Sequence, residues 1–431
     1  MEQITVNKQV PVIGSYDVVV CGGGPSGMMA AIAAARGGAS VALIERYGFL
    51  GGMATAGLVA PISVFRYNGR LVVGGIPWEF VQRLEAEAGA QVEYPLGNVS
   101  FRPEVYKLVA QRMLLEAGVT LYLHAYLSGC AMDGGRVTHV VIESKSGTQA
   151  IALRYAIDCT GDGDLAAMAG VPMRTYPGPL QPASLCFTLG NVDTEHVEKI
   201  HHSQQGVNYH IEPMQQKLRE LAATQDVPNF GGPWMCWVLT DGLVQVNTTR
   251  TEANMIDERD QTRAECKLRE DVFKMVRLLR ENFEPFKNAV LLNTATQAGV
   301  RETRHIRGTH TLTGEEYVNG VQFPDTIARG AHPIDIHSAS GSGQKCQFLR
   351  EAACIPYRTL IIDGFANLLV AGRCFSADRE ASASARVQAS VMGLGQAAGL
   401  AAALVSADGR PVADVDIGQL RRQLIEWGAN I

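Results

Sequence analysis

The clearest structural signal in the sequence is the stretch YDVVVCGGGPSGMMAAIAAARGGASVALIE, residues 16–45. Residues 16–21 are a compact run of β-branched and apolar side chains, which is typical of a parallel strand buried on both faces. Residues 28–36 are mostly alanine with two methionines, a composition that favours a helix packed closely on a sheet. A second apolar run, residues 40–44, ends at Glu45. The stretch therefore predicts one βαβ unit of about thirty residues.

The turn between this strand and the helix has the spacing of a phosphate-binding loop. Its residues are Gly22, Gly24, Pro25, Ser26 and Gly27. Glycines let the backbone approach a pyrophosphate, the helix N-terminus favours anions, and Glu45 at the end of the second strand can accept the adenosine ribose hydroxyls. A glycine-rich turn beside a surface Glu is the alternative interpretation. The strand before and the helix after the turn favour a dinucleotide site, and the acid argues against a 2′-phosphate.

The next segment, ERYGFLGGMATAG at residues 45–57, favours FAD among the dinucleotides. It continues from the acid into a second glycine-rich turn that contains Arg46, Gly51, Gly52 and Met53. A nicotinamide-binding domain does not require this turn, whereas a long flavin lying across the domain could use it.

With these motifs the chain resembles the glutathione-reductase-like flavoproteins, specifically the FAD-dependent oxidoreductases of the FAD_oxidored type, relatives of the fumarate reductase flavoproteins. Further motifs follow in order: AIDCTGDGDLAAMAGVP (156–172), GVRETRHIRG (299–308), HPIDIHSASG (332–341), and a block at 355–399 that contains IPYRTLI and NLLVAGRCFSADREASASARVQASVMGLGQAAG. The resemblance implies an α/β fold, in which a Rossmann-like FAD-binding domain carries an inserted mixed α+β substrate lobe.

The resemblance also implies further FAD contacts. It places a second strand end against the cofactor, and a C-terminal strand, loop and helix close the site. These residues are Thr160, Gly161, Asp162, Gly372, Arg373, Asp378, Ala385 and Arg386. In the respiratory relatives a histidine after the glycine-rich turn carries the flavin covalently, and GGMATAG has no histidine. We therefore expect non-covalent FAD.

In CTGDGD, residues 159–164, Asp162 and Asp164 are candidate carboxylate ligands for a metal ion. The motif lacks the further oxygen ligands that a calcium loop needs. No metal site is predicted. Asp164 is expected near the cap of the following helix, and capping is the alternative role for both acids.

The predicted FAD domain is discontinuous, residues 1–172 and 331–431, around a substrate lobe at residues 173–330. In the first part, residues 101–118 have helical spacing, and VTLYLHAYLSGC and RVTHVVIES alternate like the antiparallel strands of a meander with DGG as a turn. In the lobe, a charged helix is expected at residues 252–282. Near the C-terminus, GLGQAAG at residues 393–399 is interpreted as close helix packing rather than a second nucleotide motif.

The composition excludes several classes of protein. Hydrophobic residues make up 46% and charged residues 19%, which indicates a folded chain, and the net charge of -5 argues against nucleic acid as a partner. The apolar stretches fall short of the 18 or so residues of a membrane helix, and no signal peptide is recognised. Nine scattered cysteines indicate neither a disulfide scaffold nor an iron–sulfur site, so a cytoplasmic location is expected.

Candidate catalytic residues lie at the expected boundary of the lobe: Arg301, Arg304, His305 and His337. Guanidinium groups bind carboxylates, and a histidine poised near neutral pH can exchange a proton while a hydride moves. The alternative is a salt-bridge network in which Glu302 pairs locally. The family commonly has a second Arg where this chain has His305.

The predicted function is hydride transfer between a small, oxyanion-bearing organic substrate and flavin N5. The alternative is a flavoprotein whose FAD is structural or serves a non-redox reaction, such as that of a hydratase or isomerase; a non-catalytic binding module is a third class. Oxygen, a quinone or a redox protein could accept the electrons, and self-association of the chain is left open.

Overall fold

The computed structural model describes residues 4, 7–174, 176, 178–201, 212–238, 242–338 and 341–431. Its strands are β1 Val12–Cys21, β2 Val41–Glu45, β3 Arg66–Tyr67, β4 Arg70–Leu71, β5 Ala90–Glu93, β6 Asn98–Phe101, β7 Thr120–Leu123, β8 Tyr126–Asp133, β9 Arg136–Ser144, β10 Gly147–Asp158, β11 Met173–Arg174, β12 Phe187–Gly190, β13 Phe230–Cys236, β14 Val244–Thr249, β15 Val290–Thr294, β16 His305–Ile306, β17 Thr326–Gly330, β18 Ile334–His337, β19 Gln344–Gln347, β20 Ala353–Pro356 and β21 Leu368–Val370. Its helices are α1 Pro25–Arg36, α2 Ile76–Ala86, α3 Pro103–Glu116, α4 Asp164–Met168, α5 Thr194–His201, α6 Glu212–Leu221, α7 Glu258–Asn282, α8 Gly314–Asn319, α9 Arg379–Ala385, α10 Gln388–Ser406 and α11 Ile417–Glu426.

A seven-stranded sheet organises the chain and confirms the predicted α/β class. Its order is β7-β2-β1-β10-β9-β8, with β21 also paired to β10. The pairs β1–β2, β2–β7, β1–β10 and β10–β21 are parallel, whereas β8, β9 and β10 form an antiparallel meander. The predicted DGG turn joins β8 to β9. The expectation of one antiparallel strand in VTLYLHAYLSGC is wrong in part, because β7 pairs in parallel with β2 and only β8 enters the meander.

The C-terminal segment returns to the first βαβ unit, because β21 joins the central sheet and α10 packs against α1. A Cβ atom on Gly395 would lie 2.0 Å from the carbonyl oxygen of Ser26, so only glycine permits this approach of the two helices. This contact confirms close helix packing as the role of residues 393–399.

Helix α10 is the one helix among the described residues that is long and apolar enough to be a candidate membrane span, although polar residues interrupt its apolar sequence. It has 19 residues, and its length and composition would allow it to cross a membrane. The apolar window is 94% buried inside the protein, as in a core helix.

A second sheet lies in the lobe, with the antiparallel order β13-β14-β12-β15. Helix α7 buries Ala264, Leu268 and Val272 in the same core as this sheet. The helix begins at Glu258 rather than at residue 252, because Asp257 caps it by accepting a hydrogen bond from the backbone N–H of Asp260.

Residues between the lobe sheet and β18 join the core of the central sheet. Leu312, Tyr317 and Ile327 belong to the same hydrophobic cluster as α1 and α10, and β17 pairs with β20. The division of the chain at residue 331 stays a prediction.

Candidate active site

A first cavity opens where the parallel strands β1, β2, β10 and β21 end and α1 begins. In an open α/β sheet, ligands bind in this position, beyond the carboxyl ends of the strands. Most of the residues predicted to bind the cofactor line it: Gly22, Gly24, Pro25, Ser26, Glu45, Arg46, Gly52, Met53, Thr160, Gly161, Asp162, Gly372, Arg373 and Arg386. Other residues of the wall are not among the predicted contacts, including Tyr47, Tyr126 and Gln388.

Two of the predicted glycines shape the loops behind this wall. A Cβ atom on Gly27 would lie 1.8 Å from the carbonyl oxygen of Gly22, so glycine is required for the turn to close. Gly51 donates its backbone N–H to the carbonyl of Gly23 at 2.8 Å, which ties the second glycine-rich turn to the first. Neither residue lines the cavity.

The structure places Asp378 and Ala385 away from this wall and gives them other positions. Asp378 caps α9 by accepting a hydrogen bond from the backbone N–H of Ala381 at 2.8 Å, and it accepts a second from Gly314 at 2.9 Å. Ala385 is the fully buried last residue of α9. An Asp before a short helix serves as a cap as readily as it serves as a ligand, and the sequence did not separate the two roles.

The carboxylate of Glu45 lines the cavity and is positioned by backbone hydrogen bonds. Its two carboxylate oxygens accept the backbone N–H groups of Gly23 at 2.7 Å and Tyr47 at 3.0 Å. Burial raises the pKa of Glu45, and the two backbone N–H groups act against that rise. Each oxygen keeps a further lone pair, so the carboxylate can accept ribose hydroxyls as the sequence predicts.

Asp162 joins the first cavity to the segment that carries the catalytic candidates. It forms an ion pair with Arg373 and accepts a hydrogen bond from the hydroxyl of Thr303 at 2.7 Å. Burial alone would raise the pKa of Asp162, but the charge of Arg373 and the Thr303 hydrogen bond hold it below its ordinary value. Arg373 also donates to the carbonyl of Val300 at 2.9 Å.

A second cavity, of about 840 Å³, adjoins the first. The two cavities share Met53, Arg373, Arg386 and Gln388. The second extends to the lobe sheet at Trp234 and to the hairpin of β18 and β19. Its size lies within the range of about 300–1,000 Å³ that is usual for small-molecule sites.

Arg301 lines this second cavity and is buried. Its guanidinium donates to the carbonyl of Pro182 and to the hydroxyl of Ser184, each at 2.7 Å. Within the described ranges, no carboxylate forms an ion pair with it. Burial, and then the charge of Arg250, lower the pKa of Arg301 to about 10, so it remains a cation at neutral pH.

His337 also lines the second cavity, and both of its ring nitrogens are occupied. Arg250 lies 2.8 Å from Nδ1, and Asp335 lies 2.9 Å from Nε2. Since a guanidinium can only donate, Nδ1 accepts from Arg250, and Nε2 donates to Asp335. Burial and the charge of Arg301 lower the pKa of His337 to about 3. The expectation of a histidine poised near neutral pH is therefore corrected, because the ring is neutral there.

The structure does not bring Arg304 and His305 to this cavity. Arg304 donates to Asp164 at 2.8 Å, and Asp164 lies in the first turn of α4, as expected. His305 is fully buried on β16, where burial lowers its pKa to about 4. Glu302 pairs with Arg379 at 2.9 Å rather than with either neighbouring arginine.

The residues at the junction of the two cavities fit a large polar cofactor. Within the described ranges, Nε of Arg373, Nε of Arg386 and Oε1 of Gln388 are buried without a hydrogen-bond partner. Buried polar groups in proteins are normally satisfied, and Oε1 of Gln388, which lines both cavities, fits a bound group that donates a hydrogen bond to it. The glycine-rich turn, the start of α1 and Glu45 supply the matching site for its phosphates and ribose.

This fold and site define a flavoprotein of the dinucleotide-binding class. The sequence model of the family described as FAD dependent oxidoreductase matches residues 17–424. The chain therefore belongs to that family, and it is an oxidoreductase that uses FAD.

The chain is also similar to several solved structures. These include p-nitrophenol 4-monooxygenase from Pseudomonas putida (12% identity, 97% of this chain and 87% of that one, TM-score 0.48) and a flavoprotein/dehydrogenase from Cytophaga hutchinsonii (14%, 96% and 86%, 0.47). A geranylgeranyl bacteriochlorophyll reductase-like protein from Thermoplasma acidophilum is a third (14%, 96% and 84%, 0.45). With TM-scores below 0.5, none of them bears on the substrate. No curated protein matches the chain.

Proposed function

We propose that this oxidoreductase transfers a hydride between flavin N5 and a small organic substrate that carries an oxyanion and binds in the second cavity. The observation that carries the proposal is a pair of guanidinium groups, Arg301 and Arg386, which both line this cavity. Arg386 also lines the first cavity. Within the described ranges, neither guanidinium forms an ion pair with a carboxylate. Because an unpaired buried cation is costly, the pair is best explained as the site of an anionic substrate group.

The surrounding charges support an anion at this position. Arg250, fully buried behind His337, adds a third guanidinium. The carboxylate of Asp335 is engaged by His337, and Arg386 donates to the backbone carbonyl of Asp335 at 3.3 Å. Three guanidinium groups around one engaged carboxylate leave an excess of positive charge, which a substrate carboxylate would neutralise.

When bound, FAD supplies the site that accepts or gives the hydride, and we propose that the first cavity holds it non-covalently. The protein orients the substrate through the planar forks of Arg301 and Arg386. His337 could handle a proton at Nδ1 only after the substrate takes the place of the Arg250 hydrogen bond. Oxygen, a quinone or a redox protein then exchanges electrons with the cofactor.

Anaerobic mixing of the FAD-loaded protein with paired ligands tests the proposal. The panel consists of short hydroxy acids, saturated acids and amino acids, each beside its methyl ester. We expect acids to perturb the visible spectrum of the flavin, at least one acid to bleach it, and the esters to do neither. Equal effects of acids and esters would contradict the anion site. Conversion of an acid while the flavin stays oxidised would favour the non-redox alternative.

A further inference from the structure

The second cavity contains another polar group that Arg301 and Arg386 do not account for. Asn98, on β6, lines the cavity and is 1% exposed. Within the described ranges, neither its amide oxygen nor its amide nitrogen has a hydrogen-bond partner. A buried polar group left without a partner costs about 1–3 kcal/mol, and here two such atoms belong to one side chain.

Asn98 is a polar group separate from the guanidinium pair, because within the described ranges its amide forms no hydrogen bond to Arg301 or Arg386. It is paired in register with Glu93 across the β5–β6 hairpin, and Glu93 also lines the cavity. The cavity therefore offers a second polar contact besides the guanidinium pair.

Apolar side chains line the cavity as well. They include Val64, Leu96, Cys186 and Met235. A ligand that contacts both Asn98 and the guanidinium pair therefore meets apolar side chains as well, and an apolar middle would match them. A volume of about 840 Å³ is ample for an aromatic ring with substituents at both ends.

Resting on the proposed function, we propose that Asn98 forms a second subsite for a substrate hydroxyl group. The substrate is then a hydroxy acid whose carboxylate and hydroxyl are separated by an apolar spacer. A hydroxyl oxygen can accept from Nδ2 of Asn98 while its proton is donated to Oδ1, so one group satisfies both atoms. A methyl or aromatic C–H group satisfies neither.

Isothermal titration calorimetry of the FAD-loaded protein tests this subsite directly. The ligands are benzoate, phenylacetate and phenylpropanoate, each compared with its para-hydroxy derivative. In at least one pair we expect the hydroxyl to tighten binding about 5- to 100-fold. The Asn98→Leu variant should lose that difference and keep its affinity for the unsubstituted acid within about twofold. Asn293→Leu, an exposed substitution on β15, is the matched control and should behave as wild type.

Melting temperatures separate the ligand role from a structural one. If Asn98 serves a ligand, leucine removes two unsatisfied atoms and the melting temperature should stay level or rise. A marked fall in Asn98→Leu would show that the amide supports the hairpin and would overturn the subsite.

The affinities distinguish this proposal from the proposed function. Acids that bind equally with and without the hydroxyl, or a hydroxyl preference that survives in Asn98→Leu, would overturn the subsite alone. Methyl esters that bind as tightly as the acids would overturn the anion site and the proposed function with it.

Discussion

Replacing Glu45 with alanine should weaken FAD binding about 5- to 150-fold. The carboxylate is 6% exposed and faces the cavity, with one N–H donor on each oxygen and lone pairs left for ribose hydroxyls. Losing hydrogen bonds from a ligand to a buried carboxylate costs about 1–3 kcal/mol, which corresponds to that range of dissociation constants. Glu45→Gln should fall between alanine and wild type, because its amide keeps one acceptor oxygen.

The assay is a titration of FAD into cofactor-free protein, followed by the change in flavin fluorescence. Alanine also leaves the N–H groups of Gly23 and Tyr47 without their acceptor, so each variant's melting temperature must be measured beside its FAD affinity. Glu426→Ala, an exposed change in α11, is the control. An FAD affinity in Glu45→Ala equal to that of wild type would refute the assignment of Glu45 to the ribose.

Three further predictions concern the rest of the molecule. Burial lowers the pKa values of His337 and His305 from about 6.5 to about 3 and about 4, so below pH 6.5 protons favour the unfolded chain. Melting temperature should therefore fall between pH 6.5 and 4, with partial opposition from Asp158, whose pKa burial raises to about 6; a flat profile would contradict these shifts. Gly395→Val should push α10 from the carbonyl of Ser26 and lower melting temperature and FAD content together, and an unchanged melt would contradict the close contact. His337→Gln should slow anaerobic flavin reduction roughly a hundredfold with FAD content unchanged, and a normal rate per FAD would remove His337 from the proton-transfer role.

The nucleotide half of the site was predictable because its signals are local. The strand, the glycine turn and the acid at the end of β2 lie within thirty residues or so, and a βαβ unit brings them together in only one way. Gly372 and Arg373 were predicted as FAD contacts from the family resemblance, and both line the first cavity. Asp378 shows where prediction from sequence fails. An Asp before a helix has the same sequence pattern whether it caps the helix or binds a ligand.

The second cavity was not predictable in the same way, because its residues converge from distant segments. Arg301 and Arg304 are three apart, yet the intervening chain is irregular, and one faces the cavity while the other pairs with Asp164. Arg250 carries no local signal and approaches His337 only through tertiary contacts. The two orphaned atoms of Asn98 likewise have no signature in the sequence.

The decisive measurement is the rate of anaerobic flavin reduction per bound FAD in Arg301→Lys, compared with Arg304→Lys. It tests whether Arg301 binds the anionic group of the substrate. The substrate is the acid that reduces the wild-type flavin fastest. We predict that Arg301→Lys lowers the rate at subsaturating acid about 10- to 150-fold, because an ammonium cannot reproduce the two-donor fork of the guanidinium. Arg304→Lys should keep the wild-type rate, because Arg304 lies outside the second cavity. A wild-type rate per FAD in Arg301→Lys would contradict an anion site at Arg301.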